Sequence, residues 1–166
     1  MLRFLLVVLL FTVLFSNCVS VRSNTKAGNV PAFQRLLVVL EDTPREKAEA
    51  RRFLKECPPS YTLCTASFQS ALAFDSLSAF ITKENQTCQA DVAMVVRRTR
   101  PILRTDSYNR TRVTGQVYQV ELQQFPSLQP FWKAEIKAEG NGAVPVTAIF
   151  KRLSKDGILQ QSIANR

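Results

Sequence analysis

The nine residues Phe131–Glu139 read F-W-K-A-E-I-K-A-E and give the strongest secondary-structure signal in the chain. Apolar side chains at positions 132, 134, 136 and 138 alternate with charged ones at 133, 135, 137 and 139. Successive side chains of a strand point to opposite faces, so this alternation predicts a strand with one buried and one solvated face. Such strands are typical of antiparallel sheets covered on one side only.

Further strand signals flank this stretch. Ala90–Arg98 and Arg110–Leu122 are rich in β-branched residues, and a bulge is predicted at Gly115, where the alternation changes parity. Val144–Leu153 continues the pattern, and the turn residues 155–157 lead into a last short strand at Ile158–Ile163. A sheet of four to five antiparallel strands is therefore expected.

Helical signals lie in the first half of the chain. Thr43-Pro44-Arg45-Glu46 combines an N-cap, a proline at the first helical position and a capping box, which predicts a helix ending near Glu56. Phe68–Ile81 predicts a second, more buried helix, whereas Leu36–Leu40 fits either a helix end or a strand. The fold class expected is α+β, with N-terminal helices packed on a curved antiparallel sheet in one domain of residues 33–166.

The N-terminal residues have the pattern of a signal peptide. Arg3 precedes an apolar run, and a short polar stretch follows, so residues 1–20 are expected to be cleaved after Ser20. The run is too short for a stable membrane span. Two acceptor patterns for N-glycosylation begin at Asn85 and Asn109, which fits a secreted, extracellular glycoprotein. Residues 21–32 are expected to form a flexible segment.

Cysteine usage fits this compartment. Without the leader the chain keeps Cys57, Cys64 and Cys88, so one disulfide and one free or intermolecular cysteine are expected. Pairs 57–64 and 64–88 are the easier closures, and spacing does not choose between them. The chain has no histidine and no Cys-x-x-Cys pair, so neither a metal site nor a cofactor is expected.

The net charge of +9 favours acidic partners. The densest charge is the arginine stretch, which consists of Arg97, Arg98, Arg100, Arg104, Arg110 and Arg112. It could bind an acidic polysaccharide, an anionic lipid surface or an acidic extracellular protein, or its members could be ordinary solvent-facing positions of two strands. A nucleic acid is not expected, because the leader directs the chain out of the cell.

No catalytic constellation is evident, and a non-enzymatic protein is expected. Without histidine, the cysteines have no base to activate them, and the few glycines form no phosphate-binding loop. The aromatic residues Tyr118, Trp132 and Phe150 could line a cavity for a small apolar ligand, or they could pack in the core beneath the helices.

Two resemblances follow from these segments. Ala71-Leu72-Ala73-Phe74, Thr111-Arg112-Val113-Thr114-Gly115 and Val144-Pro145-Val146 resemble the helix and the two hairpins of cystatins, with Thr111 at the place of a glutamine and no tryptophan after Pro145. This resemblance implies a wedge of Val113, Gly115 and Pro145 that inhibits papain-type cysteine proteases. The nearer resemblance is to small secreted nuclear transport factor 2-like domains, carried by the order of elements and by Val146–Leu153 with its continuation through Asp156-Gly157 to Ile163. It implies a pocket between sheet and helices.

These observations lead to two hypotheses. The first is a secreted, non-enzymatic binding protein for a small apolar ligand or an anionic surface. The alternative is a secreted cystatin-like protease inhibitor.

Overall fold

The computed structural model describes residues 19–26, 30–140 and 142–159. The elements in chain order are β1 (Val19–Thr25), β2 (Arg35–Glu41), α1 (Glu46–Glu56), β3 (Thr62–Phe68), α2 (Leu77–Cys88), β4 (Val92–Thr105), β5 (Thr111–Gln124), β6 (Gln129–Glu139) and α3 (Val146–Lys155).

The strands form one sheet in the order β1-β6-β5-β4-β2-β3. Strands β4, β5, β6 and β1 pair antiparallel, whereas β2 pairs parallel with both β3 and β4. The α+β class is confirmed, but the prediction of an antiparallel sheet of four to five strands is wrong in detail, because the described residues form a mixed sheet of six strands. Parallel neighbours need long crossovers, which α1 and α2 supply.

The apolar run Leu36–Leu40 is strand β2, and all five residues are buried. Alternate residues face two different cores. The larger core lies under α1 and α3 and includes the fully buried Phe53, Ile149 and Trp132. The smaller core lies under α2, which covers only the β3-β2-β4 end of the sheet. The side of β1, β6, β5 and β4 turned away from α1 and α3 is called the open face below.

Three predicted elements differ from the structure. Val146–Lys155 is a helix rather than a strand, and Gly157 with φ 72° ends it. Residues 158–159 are described and form no strand, whereas 160–163 lie outside the described residues. The helix predicted at Phe68–Ile81 is instead the end of β3, an exposed loop and the start of α2.

The first helix is confirmed over Glu46–Glu56, although its N-cap is Arg45 in a left-handed conformation rather than Thr43. The predicted strands before and after the β4–β5 turn are confirmed and are longer than expected. The register irregularity in β5 lies at Thr114, directly beside Gly115, where the bulge was predicted.

The segment expected to be flexible, 21–32, contains most of β1. Strand β1 begins at Val19, which pairs with Ala138 of β6. Cleavage after Ser20 would remove the first two residues of this strand. Residues 1–18 of the predicted leader lie outside the described residues.

Candidate functional site: a cationic open sheet face

Strand β6 positions two lysines on the open face. Its apolar residues point into the core under α1 and α3, so Lys133 and Lys137 point the other way with Glu135 and Glu139. The register with β1 places Arg22 beside Glu135 and Ser20 beside Lys137. The alternation seen in the sequence therefore builds the centre of this face.

A register shift in β4 divides the arginine stretch between two faces. Arg98 lies opposite Tyr118, on the side of α1 and α3, whereas Arg100 lies opposite Val117, on the open face. Thr99 is the extra residue between them. Arg97 also lies on the open face, where its Nε is 2.6 Å from a carboxylate oxygen of Glu41.

Strands β4 and β5 continue past their neighbours as a projecting hairpin, because β2 ends at Glu41 and β6 ends at Glu139. On the open-face side of this hairpin Arg104 lies directly opposite Arg112. Like charges in this position repel each other. Glu139 lies 3.2 Å from Arg104, and Arg112 makes no ion pair with any described residue.

The turn of the hairpin is closed by Asp106, which accepts hydrogen bonds from the backbone N–H groups of Tyr108 and Arg110. These bonds, led by the one from Arg110, lower the pKa of Asp106. The Arg110 guanidinium lies 3.0 Å from Asp106 and 5.3 Å from the centre of the Tyr108 ring. Arg110 is thus at the turn and not on the open face.

Two adjoining grooves cross the open face, and Arg100 lines both. The larger, of about 610 Å³, runs from Arg22 past Lys133 and Gln119. The smaller, of about 340 Å³, lies between Lys137 and the apolar residues Ile102 and Val117. Together they form a shallow channel from the sheet edge at β1 to the base of the hairpin.

Basic groups outnumber carboxylates on this face. Among the described residues, the open face carries three carboxylates, those of Glu121, Glu135 and Glu139, and seven basic side chains, namely Arg22, Arg97, Arg100, Arg104, Arg112, Lys133 and Lys137. Carboxylate–cation distances are 3.6 Å for Arg100–Glu135 and 2.9 Å for Lys133–Glu121. The sequence-based prediction missed Arg22, Lys133 and Lys137, although the alternation in β6 already placed both lysines on a solvated face.

The predicted apolar-ligand residues lie in the core. Tyr118 of β5, Trp132 of β6 and Phe150 of α3 are all buried in the core between the sheet and the helices α1 and α3. The Trp132 indole N–H donates to Asp156 at 2.8 Å, and the Tyr118 hydroxyl donates to the carbonyl of Gly142. Burial, followed by the nearby Glu49 carboxylate, raises the pKa of Tyr118 to about 12. The structure brings these aromatics together as packing.

The predicted protease-binding residues do not lie on two neighbouring hairpins. Val113 is 64% exposed on the projecting hairpin, and Gly115 lies in β5 opposite Glu139. Pro145, however, precedes α3 and stands between Val144 and Val146, which are both fully buried. The second hairpin of the cystatin wedge is therefore replaced here by a helix start.

Cys64 and Cys88 form a disulfide between β3 and α2, one of the two pairings expected. Cys57 is a free thiol, and burial raises its pKa.

Of the two predicted glycosylation sites, Asn109 is exposed at the hairpin turn, whereas Asn85 lies within α2 rather than in a loop. The described ranges contain neither a group of three possible metal ligands nor a helix long and apolar enough to cross a membrane.

Fold and site together define a small α+β domain with a cationic open sheet face. No protein-family model and no curated protein matches the sequence.

Solved structures with a partly similar fold are two PelC dodecamers from Paraburkholderia phytofirmans and the lipoprotein GNA1162 from Neisseria meningitidis. One PelC chain has 14% identity and a TM-score of 0.47, with coverage of 82% of this chain and 96% of that one. The other has 12% identity and a TM-score of 0.47, with coverage of 86% and 100%. GNA1162 has 12% identity and a TM-score of 0.40, with coverage of 75% and 97%. Values this low support no transfer of function.

Proposed function

We propose that this chain is a secreted, non-enzymatic binding protein whose open face takes an extended anionic partner, with an acidic polysaccharide as the best fit. The observation that carries the proposal is the surplus of basic side chains along the channel between Arg22 and the projecting hairpin.

The channel suits a linear polyanion better than a compact anion. Its basic groups come from several strands, and neighbouring strands are about 4.8 Å apart, so the charges are spread over the whole width of the face. Arg104 and Arg112 lie directly opposite each other, and of the two only Arg104 pairs with a described carboxylate, that of Glu139, so an incoming sulfate or carboxylate would relieve their repulsion. Arginine also binds such groups through two parallel hydrogen bonds.

The test compares two double variants that remove the same charge. R100Q/R112Q changes the open face, whereas R51Q/R98Q changes α1 and the opposite side of β4; all four arginines are exposed. We expect R100Q/R112Q to elute from immobilised heparin at clearly lower salt than the control pair, because ion release on binding makes retention depend on the local cations. Equal elution of the two variants would show that only net charge matters and would remove the proposal.

Protease inhibition stays as a second proposal, supported by the exposure of Val113 on a projecting hairpin. Residual activity of a papain-type protease would be titrated with the purified chain and with its V113D variant. Stoichiometric inhibition by the unmodified chain that is lost in V113D would support this second proposal. An absence of inhibition at high molar excess would refute it.

A further inference from the structure

The two edges of the sheet differ in their protection against further strand pairing. Edge strand β1 carries Arg22, and Lys26 follows it directly. Edge strand β3 reads T-L-C-T-A-S-F and contains no charged residue and no proline. Natural sheets protect free edges with charges, proline, a bulge or a covering helix or loop. Strand β3 has no charge, no proline and no bulge in its pairing with β2, which makes this edge a candidate for pairing with another strand.

The backbone geometry shows which groups of β3 point outward. The Thr62 N–H donates to Gln34, and the Phe68 carbonyl accepts from Asp42, so the even-numbered residues of β3 bond to β2. In a parallel ladder the intervening residues then direct both N–H and C=O away from β2. These residues are Leu63, Thr65 and Ser67, and no described strand pairs with them.

An exposed apolar loop follows β3 directly. Leu72 is 77% exposed and Phe74 is fully exposed. The loop is held at its start by Ser70, whose N–H donates to Asp42 at 2.9 Å, and at its end by Ser76, which caps α2. Two large apolar side chains on an anchored loop are presented to solvent in a fixed place.

We propose that β3 pairs antiparallel with β3 of a second copy, with Thr65 on the two-fold axis. Thr65 exchanges hydrogen bonds with its own counterpart, and Leu63 does so with Ser67 of the second copy. Pairing of β3 with its own copy brings no like charges together, because β3 has no charged residue. Pairing of β1 with its own copy would instead bring the two Arg22 side chains close to each other.

The loops supply the rest of the interface. Antiparallel pairing places the end of one β3 beside the beginning of the other, so Leu72 and Phe74 lie next to residues 57–61 of the second copy, which include Pro58, Pro59 and Tyr61. Strand pairing alone buries less than the roughly 800 Å² per partner of a stable interface. Burial of Leu72 and Phe74 adds to it and explains their exposure in the single chain.

The test uses Thr65, because a side chain on the two-fold axis lies opposite the same side chain of the second copy. Sedimentation and light scattering are expected to show a dimer for the wild type. T65K and T65E should each raise the dissociation constant by about 100-fold, since each places like charges opposite one another. An equimolar mixture of T65K and T65E should form a mixed dimer again.

The matched control is N24K on the opposite edge, which is expected to remain dimeric. Circular dichroism establishes that each variant is folded, and rescue in the mixture would itself exclude a folding defect. A wild type that is monomeric at all concentrations would overturn the proposal. A dimer unaffected by T65K, or a mixture that stays monomeric, would overturn it as well.

Discussion

At the scale of single residues, Asp156 connects three elements at the end of α3. Its carboxylate accepts hydrogen bonds from the Ser23 hydroxyl at 2.6 Å and the Trp132 indole at 2.8 Å, and it lies 3.0 Å from Arg152. Burial acts to raise the pKa of Asp156, but the hydrogen bonds from Ser23, Trp132 and Arg152 outweigh it, so the pKa is lowered. The ionised carboxylate is therefore the form that stabilises the fold.

Replacing Asp156 by asparagine should lower the free energy of unfolding by about 1–3 kcal/mol at pH 7, because three donors lose a charged acceptor. A lowered pKa gives stability that is present above the unfolded value of about 4 and is lost as the pH falls through the folded value. The difference between D156N and wild type should therefore shrink from pH 7 to pH 3 in urea unfolding. The control is D75N, an exposed carboxylate, and a difference independent of pH would contradict this role.

The two glycosylation sequons should behave differently. Asn85 donates its side-chain N–H to the carbonyl of Ala90 and accepts from the Ala90 N–H at 2.6 Å, so its amide is occupied in holding the end of α2. Asn109 is exposed at the hairpin turn. Peptide mapping of chain secreted from a eukaryotic host should find glycan on Asn109 and none on Asn85. N109Q should remove the mass shift that N85Q leaves in place; a glycan on Asn85 would refute this.

At the scale of elements, Gly115 determines how closely β5 and β6 approach. A Cβ added there would lie 2.4 Å from the carbonyl oxygen of Ala138 and 2.8 Å from the Cα of Glu139, and both are backbone atoms that cannot turn aside. G115A should therefore lower the free energy of unfolding by roughly 1–3 kcal/mol in chemical denaturation.

The control for G115A is V113A at a nearby exposed position, where the loss of two methyl groups should leave the free energy of unfolding nearly unchanged. If G115A were as stable as V113A, the close approach would have no energetic consequence. The same contact makes Val113 the better residue for testing protease inhibition, since a change at Gly115 disturbs the sheet.

Some elements could be predicted because only one period fits them. From Trp132 to Glu139 the alternation is strict, and β6 follows it. In 144–153 two periods fit, because Val144, Val146 and Phe150 alternate, whereas Val146, Ile149, Phe150 and Leu153 have helical spacing. The helix is the observed structure. The glycine at position 157 did not distinguish a strand from a helix here, since a hairpin turn and a helix end both need a residue in the left-handed conformation.

At the scale of the whole molecule, the fold class followed from the sequence but the sheet order did not. A continuous apolar run such as Leu36–Leu40 is typical of a strand buried on both sides, yet its partners are set by the long-range packing of α1 and α2. The candidate site shows the same limit. Lys133 and Lys137 could be placed on a solvated face from β6 alone, whereas Arg22 joins them only through the register of β1.

The pairing of β1 with β6 has a consequence for the growing chain. Ser23 and Asp156, which are hydrogen-bonded, lie 133 positions apart. During synthesis, which proceeds at about 5–20 residues per second, β1 leaves the ribosome first and has to wait until nearly all of the remaining chain has followed. The first of the described strands to be made is thus among the last to be placed, and until then the edge of β6 is open to chaperones or to a neighbouring nascent chain.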